Sequence, residues 1–530
     1  MTGDTGDSPQ AAHGAQARRG QRANASDRGR RGRRRQGSEA ATPQPAPYLV
    51  RKLPPYDILS EEGLALIEAN ADRLLEDVGV DVRGDPVSLE LFRAAGADVR
   101  GERVRFPAGL CRTIISASAP AQFRQHARNP ARSVEIGGNN VVFVPAYGAP
   151  FVRGLDVERR YATLEDFNRF VMLAQDLPQL HHSGGTVCEP TDIPVPKRHL
   201  DMVYGHIRYS DKPYMGAVTS GERAEDSIRM TEIVFGKEFV ANNCCMVSLI
   251  NINSPLVLDV TMLDALRVYA SHGQGTLITP FVIGGASGPV SPAAMLAQTL
   301  AEALPGIALT QLVRPGAPVI FGLLVAGLNM RTGAPIRFDE TWKCLLAGGQ
   351  LARRIGVPYR CGGMTTTAKT PDAHAGMEGA VYVTHSLLAG VNFLLHATGT
   401  CEGGLCLSYE KFVLDCHFLG AARRMLAGID LSADEFGLDA MAEAGPGGNF
   451  LNTKHTLARY RDAFYDSPIF DCTPFEQWQE RGSLDAAAHA NVELKSILAS
   501  YELPPLEPAI DEALRAFMAE RKSQLPDSFA

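Results

Sequence analysis

The chain has no uninterrupted apolar run of the roughly 18 residues needed to span a bilayer. Its longest candidates, Ala317 to Leu328 and Leu387 to Leu395, suit buried strands or helix segments, so no membrane crossing is expected. Framework cysteine spacing is also missing. Ten cysteines are scattered through 530 residues with no Cys-x-x-Cys pairs and no signal peptide ahead of them, which predicts reduced thiols in a cytoplasm. No Gly-x-Gly-x-x-Gly follows a first strand with an acid about 20 residues on, which disfavours a doubly wound dinucleotide fold. Neither a Gly-x-Ser-x-Gly elbow nor a phosphate loop occurs, so serine-hydrolase and nucleotide-cradling chemistry have no local signature here.

What remains is the composition of a globular chain able to bury a large core, with 45% hydrophobic and 21% charged residues. At about 150 residues per domain the length allows several domains, and a large α/β barrel with insertions is equally compatible. The net charge of −7 is unevenly spread: residues 1 to 50 hold nine Arg against Asp4, Asp7, Asp27 and Glu39, which leaves the rest strongly acidic. An acidic body argues against nucleic-acid binding by the folded part, because phosphate-binding domains carry positive charge on the fold itself. The segment 1–47 is Gly, Ala, Ser, Gln, Pro and Arg with almost no large apolar residue, and is expected to be a disordered Arg-rich tail. Its run from Arg30 to Arg35 is followed by no apolar segment, so export is not expected. A loose polyanion contact through the tail stays open.

Residues 48–135 read as an N-terminal helical cap, opening at Ser60-Glu-Glu with apolar residues at Leu64, Ile67, Ala71, Leu74 and Leu75. After it, eight short apolar runs alternate with helix-length amphipathic stretches. The predicted strands are 140–146, 181–187, 213–219, 245–251, 275–283, 318–325, 358–364 and 392–400. Helix starts are predicted at Thr163-Leu-Glu-Asp, Ser220-Gly-Glu-Arg, Ser254-Pro-Leu, Ser291-Pro-Ala and Thr370-Pro-Asp. Continuous apolar strands alternating with helices predict a parallel sheet closed on itself, a (β/α)8 barrel over 136–430, with a C-terminal helical extension over 431–530. A doubly wound sheet is the alternative.

In such a barrel the active site lies where the strands end at their C-terminal side. The residues there are polar but poor in catalytic types: Tyr147, Thr186, Glu189, Asn251, Asn253, Thr365 to Thr367, Lys369, Thr398, Thr400 and Glu402, with His396 one step inside. His396, Thr398 and Thr400 would share one strand face. No metal site is expected. Asn243-Cys244-Cys245 resembles the vicinal thiols of zinc-dependent thiol methyltransferases, yet it falls at the start of its strand; Cys401 and Cys406 lack zinc-ligand spacing. His374, Glu378 and His385 share a helix face, read as an outward polar stripe with a metal or interface role as the alternative.

Several ordered segments resemble the trimethylamine methyltransferase family. They are Asp211-Lys212-Pro213, Asn251-Ile-Asn-Ser254-Pro-Leu, Ala301-Glu-Ala-Leu-Pro-Gly306 with Gln311-Leu and Pro315-Gly316, Asp372-Ala-His-Ala-Gly376-x-Glu378, Ser408-Tyr-Glu410, and Gly445-Pro-Gly-Gly448-x-Phe450-Leu with His455-Thr456. The resemblance spans roughly 50–500 and implies a (β/α)8 barrel, a homo-oligomer, and methyl transfer to the cobalt of a corrinoid (cobalamin) held by a separate corrinoid protein, with none tightly bound by this chain. Founding members carry pyrrolysine, which the resemblance places in the loop around Thr365 to Lys369, where this chain has standard residues only. Without that group a neutral tertiary amine is a poor substrate, whereas a quaternary ammonium releases a neutral amine directly. Glycine betaine is therefore the expected donor, followed by proline betaine or carnitine-like compounds. In the expected displacement cobalt(I) attacks the N-methyl carbon and no general acid is required. Tyr147, Glu189 and Glu402 are the candidates for holding the cation, Asn251 and His396 for orienting the substrate. By the motif match alone, Gly447 and His455 line the corrinoid-docking rim. A zinc-dependent betaine-to-thiol methyltransferase and a non-catalytic betaine-binding protein are the rival readings.

Overall fold

The apolar runs become parallel strands in a computed structural model of the chain, which describes residues 47–336 and 340–529. The expectation for the Arg-rich tail falls almost wholly outside the described residues. Seven strands form one parallel ladder: β1 (Asn140–Phe143), β2 (Tyr214–Met215), β3 (Met246–Ile252), β4 (Gly275–Gly284), β5 (Val319–Gly322), β6 (Tyr359–Gly362) and β7 (Phe393–Leu395). Each of β2 to β6 pairs with the next, and β7 pairs with β1. Residues 181 to 184 join the two ends of this order. The His181 N–H donates to the Phe143 carbonyl at 3.0 Å, Ser183 N–H to the Pro213 carbonyl at 2.9 Å, and Met215 N–H to the Gly184 carbonyl at 2.8 Å. Helices such as Leu164–Asp176, Arg198–Tyr209, Gly221–Phe235 and Val260–Ser271 fall between successive strand segments, giving an α/β fold.

Side chains alternate across these strands because successive Cβ atoms point to opposite faces. One face gathers Val142, Val247, Leu249, Leu277, Ile320 and Phe393 into an inner cluster. The other gives Phe143, Ile250, Ile278, Phe321, Cys361 and Leu394, which pack with the helices. Val134 and Ile136 of the hairpin Gln122–Gln125 and Val134–Gly137 join the inner cluster. A fully buried Leu or Phe of this kind contributes about 2 kcal/mol.

Most predicted helix starts are present. The Ser60 hydroxyl accepts the Gly63 N–H, Thr163 and Asp166 form a reciprocal capping box, and Ser220 accepts the Arg223 N–H. Two starts move. The helix expected after Ser254 begins at Val260, capped by Asp259, because Val257–Asp259 is diverted into a parallel pairing with Val80–Arg83. Asp372, not Thr370, caps Ala373–Leu388 by accepting the Ala375 N–H, and the Thr370 hydroxyl donates to that carboxylate. The segment 48–135 carries the helices Glu61–Asp77, Pro86–Ala94 and Leu110–Ser118, and also strands at Val80–Arg83, Asp98–Arg100, Arg103–Arg105 and Gln122–Gln125 that helical periodicity did not register. Pro292–Val313, the one described helix long and apolar enough to cross a membrane, is buried inside the fold along most of its length.

His181, in the segment that joins the ends of the strand order, and His206, on the helix Arg198–Tyr209, are kept neutral by burial. The His181 pKa is lowered to about 3, chiefly by burial and then by the Lys212 ammonium, while its Nδ1 accepts the Phe143 N–H at 3.0 Å. That of His206 is lowered to about 4 by burial, partly offset by its Nε2–H donating to the Gly185 carbonyl at 2.6 Å. Below pH 6.5 the unfolded chain takes up protons that the folded one refuses, so this stability is present above pH 6.5 and is lost as pH falls toward about 4 for His206 and about 3 for His181. The expected loss is about 1.4 kcal/mol per pH unit for each histidine. Melting curves at pH 8, 6.5 and 5 check it, and a Tm that does not fall between 6.5 and 5 overturns the neutral assignment.

Candidate active site

Along β3 the inner-face residues Val247 and Leu249 are buried and Asn251 is exposed, so the inner face opens toward the C-terminal end of the strands. Asn251 is in register with Thr279 of β4, and two residues further on Phe281 is half-buried opposite Leu324. Beyond β1 the chain runs through Val144 to Tyr147. The strand predicted over 392–400 ends at Leu395, because His396 and Gly399 take left-handed φ values of 61° and 82° and turn the backbone. Thr398 and Thr400 thus do not continue the His396 face, and Thr400–Cys401 pairs with Cys406–Ser408.

The structure brings Tyr147 and His396 together. The Tyr147 N–H donates to His396 Nδ1 at 3.3 Å. Tyr147 packs against the inner cluster, and its ring lies so close to Gly185 that a Cβ there would be 2.7 Å from it. Burial pushes its phenol up to about 12, opposed by a hydrogen bond with Thr186, so the ring stays neutral. Glu189 is ion-paired with Arg198. Glu402 accepts Arg159 Nε at 3.0 Å, and that guanidinium lies 3.7 Å from the Phe151 ring centre. Each acid is therefore half of an ion pair. Gly447 is exposed at φ 79°, and His455, on the helix Lys454–Arg459, lines a cleft with Gly437, Glu443 and Arg459.

The loop 365–369 is held by Glu378, which is buried and not part of an outward stripe. It accepts the Thr366 hydroxyl at 2.6 Å, the Thr367 N–H at 2.6 Å and the Thr367 hydroxyl at 2.9 Å, and pairs with His374 at 3.1 Å. Burial raises its pKa, but these donors outweigh it and the net shift is downward. His385 instead bonds the Val381 carbonyl and packs on Trp342. Of the cysteines, Cys244, Cys401 and Cys406 have thiols pushed up by burial to about 12, and Cys245 is raised further, so all four remain thiols near neutrality.

Two sequence segments singled out for their resemblance prove to be structural joints. Glu302, fully buried in Pro292–Val313, accepts the Ser254 hydroxyl at 2.5 Å, the Leu256 N–H at 3.0 Å and the Gln298 amide at 2.7 Å, fixing the turn just beyond Asn251. Lys212 donates to the carbonyls of Ala174, Leu177 and Leu180 at 2.6, 3.1 and 2.8 Å, capping the end of the helix Leu164–Asp176. Sequence reasoning missed Arg360. It is a fully buried cation on β6, and the available signal was one charge inside the otherwise uncharged run 358–364.

A family model described as Trimethylamine methyltransferase (MTTB) matches residues 26–526. The chain is 41% identical over 475 residues to the glycine betaine methyltransferase of Desulfitobacterium hafniense (strain Y51), covering 89% of this chain and 98% of that one. It is 28% identical over 487 residues to the proline betaine:corrinoid methyltransferase of Eubacterium limosum, covering 88% and 98%. With the trimethylamine methyltransferase MttB of Desulfitobacterium hafniense (strain DSM 10664 / DCB-2) it shares 25% over 482 residues, covering 88% and 94%. The ordered motifs, the strand-end geometry and this full-length similarity lead to one conclusion: the chain belongs to the trimethylamine methyltransferase family.

Proposed function

We propose that the protein moves a methyl group from a quaternary amine, glycine betaine foremost, to the cobalt of a corrinoid protein. The observation that carries this reading is the 41% identity to a glycine betaine methyltransferase across 98% of that enzyme. The Eubacterium limosum relative, a proline betaine:corrinoid methyltransferase, supports a corrinoid acceptor and makes proline betaine the next donor. Loss of a methyl group from a quaternary ammonium releases a neutral tertiary amine, so the chain needs to supply position and a desolvated cation pocket, and no proton donor. The Tyr147 face serves the ammonium, while Asn251 and His396 orient the substrate. Glu189 and Glu402, each neutralised by its arginine, shape the field at the rim.

In this reading the strands close as a (β/α)8 barrel over 136–430, supported by the hydrogen bonds through residues 181 to 184. Residues 48–135 cap it and 431–530 extend it. Gly447 and His455 receive the corrinoid protein. In their favour, the segment 431–530 exposes Leu431, Phe436, Leu438, Leu451 and Phe464, apolar side chains that a docked partner would cover. This surface also suits a homo-oligomer.

Spectroscopy of the purified protein with cob(I)alamin and a donor panel tests the reading. Methylcobalamin is expected from glycine betaine and not from trimethylamine. Transfer from no quaternary amine, with either cob(I)alamin or a reduced corrinoid protein, would sink it.

A further inference from the structure

Arg360 is 1% exposed, and neither its Nε nor its Nη1 has a hydrogen-bond partner. No carboxylate pairs with it among the described residues. Its neighbours on β6 point outward: the Tyr359 hydroxyl donates to the Leu345 carbonyl on the helix Thr341–Ile355, and Cys361 packs in the outer core. Alternation therefore turns Arg360 inward. Register agrees, since Arg360 stands beside Phe393 of β7, a member of the inner cluster that Tyr147 also packs against. On its other side is Gly322, where a Cβ would lie 2.1 Å from Thr279 Oγ1. That hydroxyl is itself buried without a partner. A cation and a hydroxyl donor thus face one interior, with a glycine between them clearing the space.

A buried charge with no counter-ion is costly, and one retained on a barrel-type inner face invites a ligand that completes the pair. Burial lowers the guanidinium pKa to about 10, which leaves it charged at neutral pH. We propose that Arg360, helped by the Thr279 hydroxyl, binds the carboxylate of a zwitterionic quaternary amine, and so selects betaines over amines that carry no acid group. This rests on the methyl-transfer reading above and specifies its substrate class. A guanidinium fork suits a carboxylate through two charge-assisted N–H bonds, which a point-charge ammonium matches poorly. A donor such as choline or trimethylamine leaves the charge unpaired, and a site built to pair a group discriminates against analogues without it.

The test measures binding of glycine betaine and of choline by calorimetry to the full chain, and to the Arg360→Met and Arg360→Lys variants, alongside methyl transfer to cob(I)alamin. Wild type is expected to bind glycine betaine at least tenfold more tightly than choline. Arg360→Met should abolish that preference by weakening glycine betaine binding while choline binds no more weakly than to wild type, a split that general misfolding would not produce. Its Tm should not fall, since an unpaired buried charge is removed. Arg360→Lys, the safeguard should the methionine variant not fold, should keep a reduced preference. Equal binding of both amines by wild type, or an undiminished preference in either variant, would overturn the proposal. Failure of wild type to transfer methyl from any quaternary amine would instead sink the underlying reading, and the binding ratios would still decide the role of Arg360.

Discussion

Replacing Tyr147 by alanine is expected to lower kcat/KM for methyl transfer from glycine betaine about a hundredfold, close to 2.7 kcal/mol of transition-state stabilisation. A quaternary ammonium cannot donate a hydrogen bond, so its stabilisation in a dry site comes from the negative face of an aromatic ring, worth about 2 kcal/mol or more when desolvated. Truncation also removes the wall against Gly185 and admits water. Arg198 engages Glu189 and Arg159 engages Glu402, so neither carboxylate is free to replace the ring. Tyr147→Phe keeps the face and loses only the hydroxyl contact with Thr186, so it should retain activity within about threefold. Initial rates of methylcobalamin formation check both variants. Equal losses in Phe and Ala would mean that the hydroxyl acts and the ring face does not.

The Glu302→Ala variant should lose about 4 kcal/mol of stability. Its carboxylate is fully buried and satisfies a hydroxyl, a backbone N–H and an amide from three different residues. Leaving each buried donor unmet costs about 1–3 kcal/mol, and the turn at Ser254 relaxes only in part. Burial raises the Glu302 pKa against those three bonds, so a neutral acceptor is tolerated at this position. Glu302→Gln is accordingly expected to cost less than half as much. Because Glu302 fixes the turn beyond Asn251, the alanine variant should also lose methyl transfer before global unfolding. Thermal denaturation followed in parallel with activity separates the two effects; an alanine variant melting with wild type would show that the turn needs no such brace.

Much of this was legible in one dimension. Eight apolar runs were read as strands, and seven form ladder strands while residues 181–184 bridge the ends of their order. Burial on both faces makes such strands continuous in apolar residues, a pattern visible without coordinates. Helix starts were readable where a cap is satisfied within four residues, as at Thr163 and Ser220. They were misplaced where a distant strand claimed the segment, as at Val257–Asp259. The length of the last strand was misread because nothing in His396 as a residue type announces a left-handed φ.

At the site the division is sharper. Local order in the chain determined that Tyr147, Asn251 and His396 fall at strand ends, and the ordered motifs determined the family. Which partner each charge takes was decided only by tertiary structure. Arg198 and Arg159 claim Glu189 and Glu402, Glu378 ties down the loop at 366–367, and Arg360 is left without an acid among the described residues. Strand and helix periods depend on neighbours a few residues away and survive in a linear reading. Ion pairing depends on charges brought together from far along the chain, where burial makes a paired group stable and an unpaired one costly.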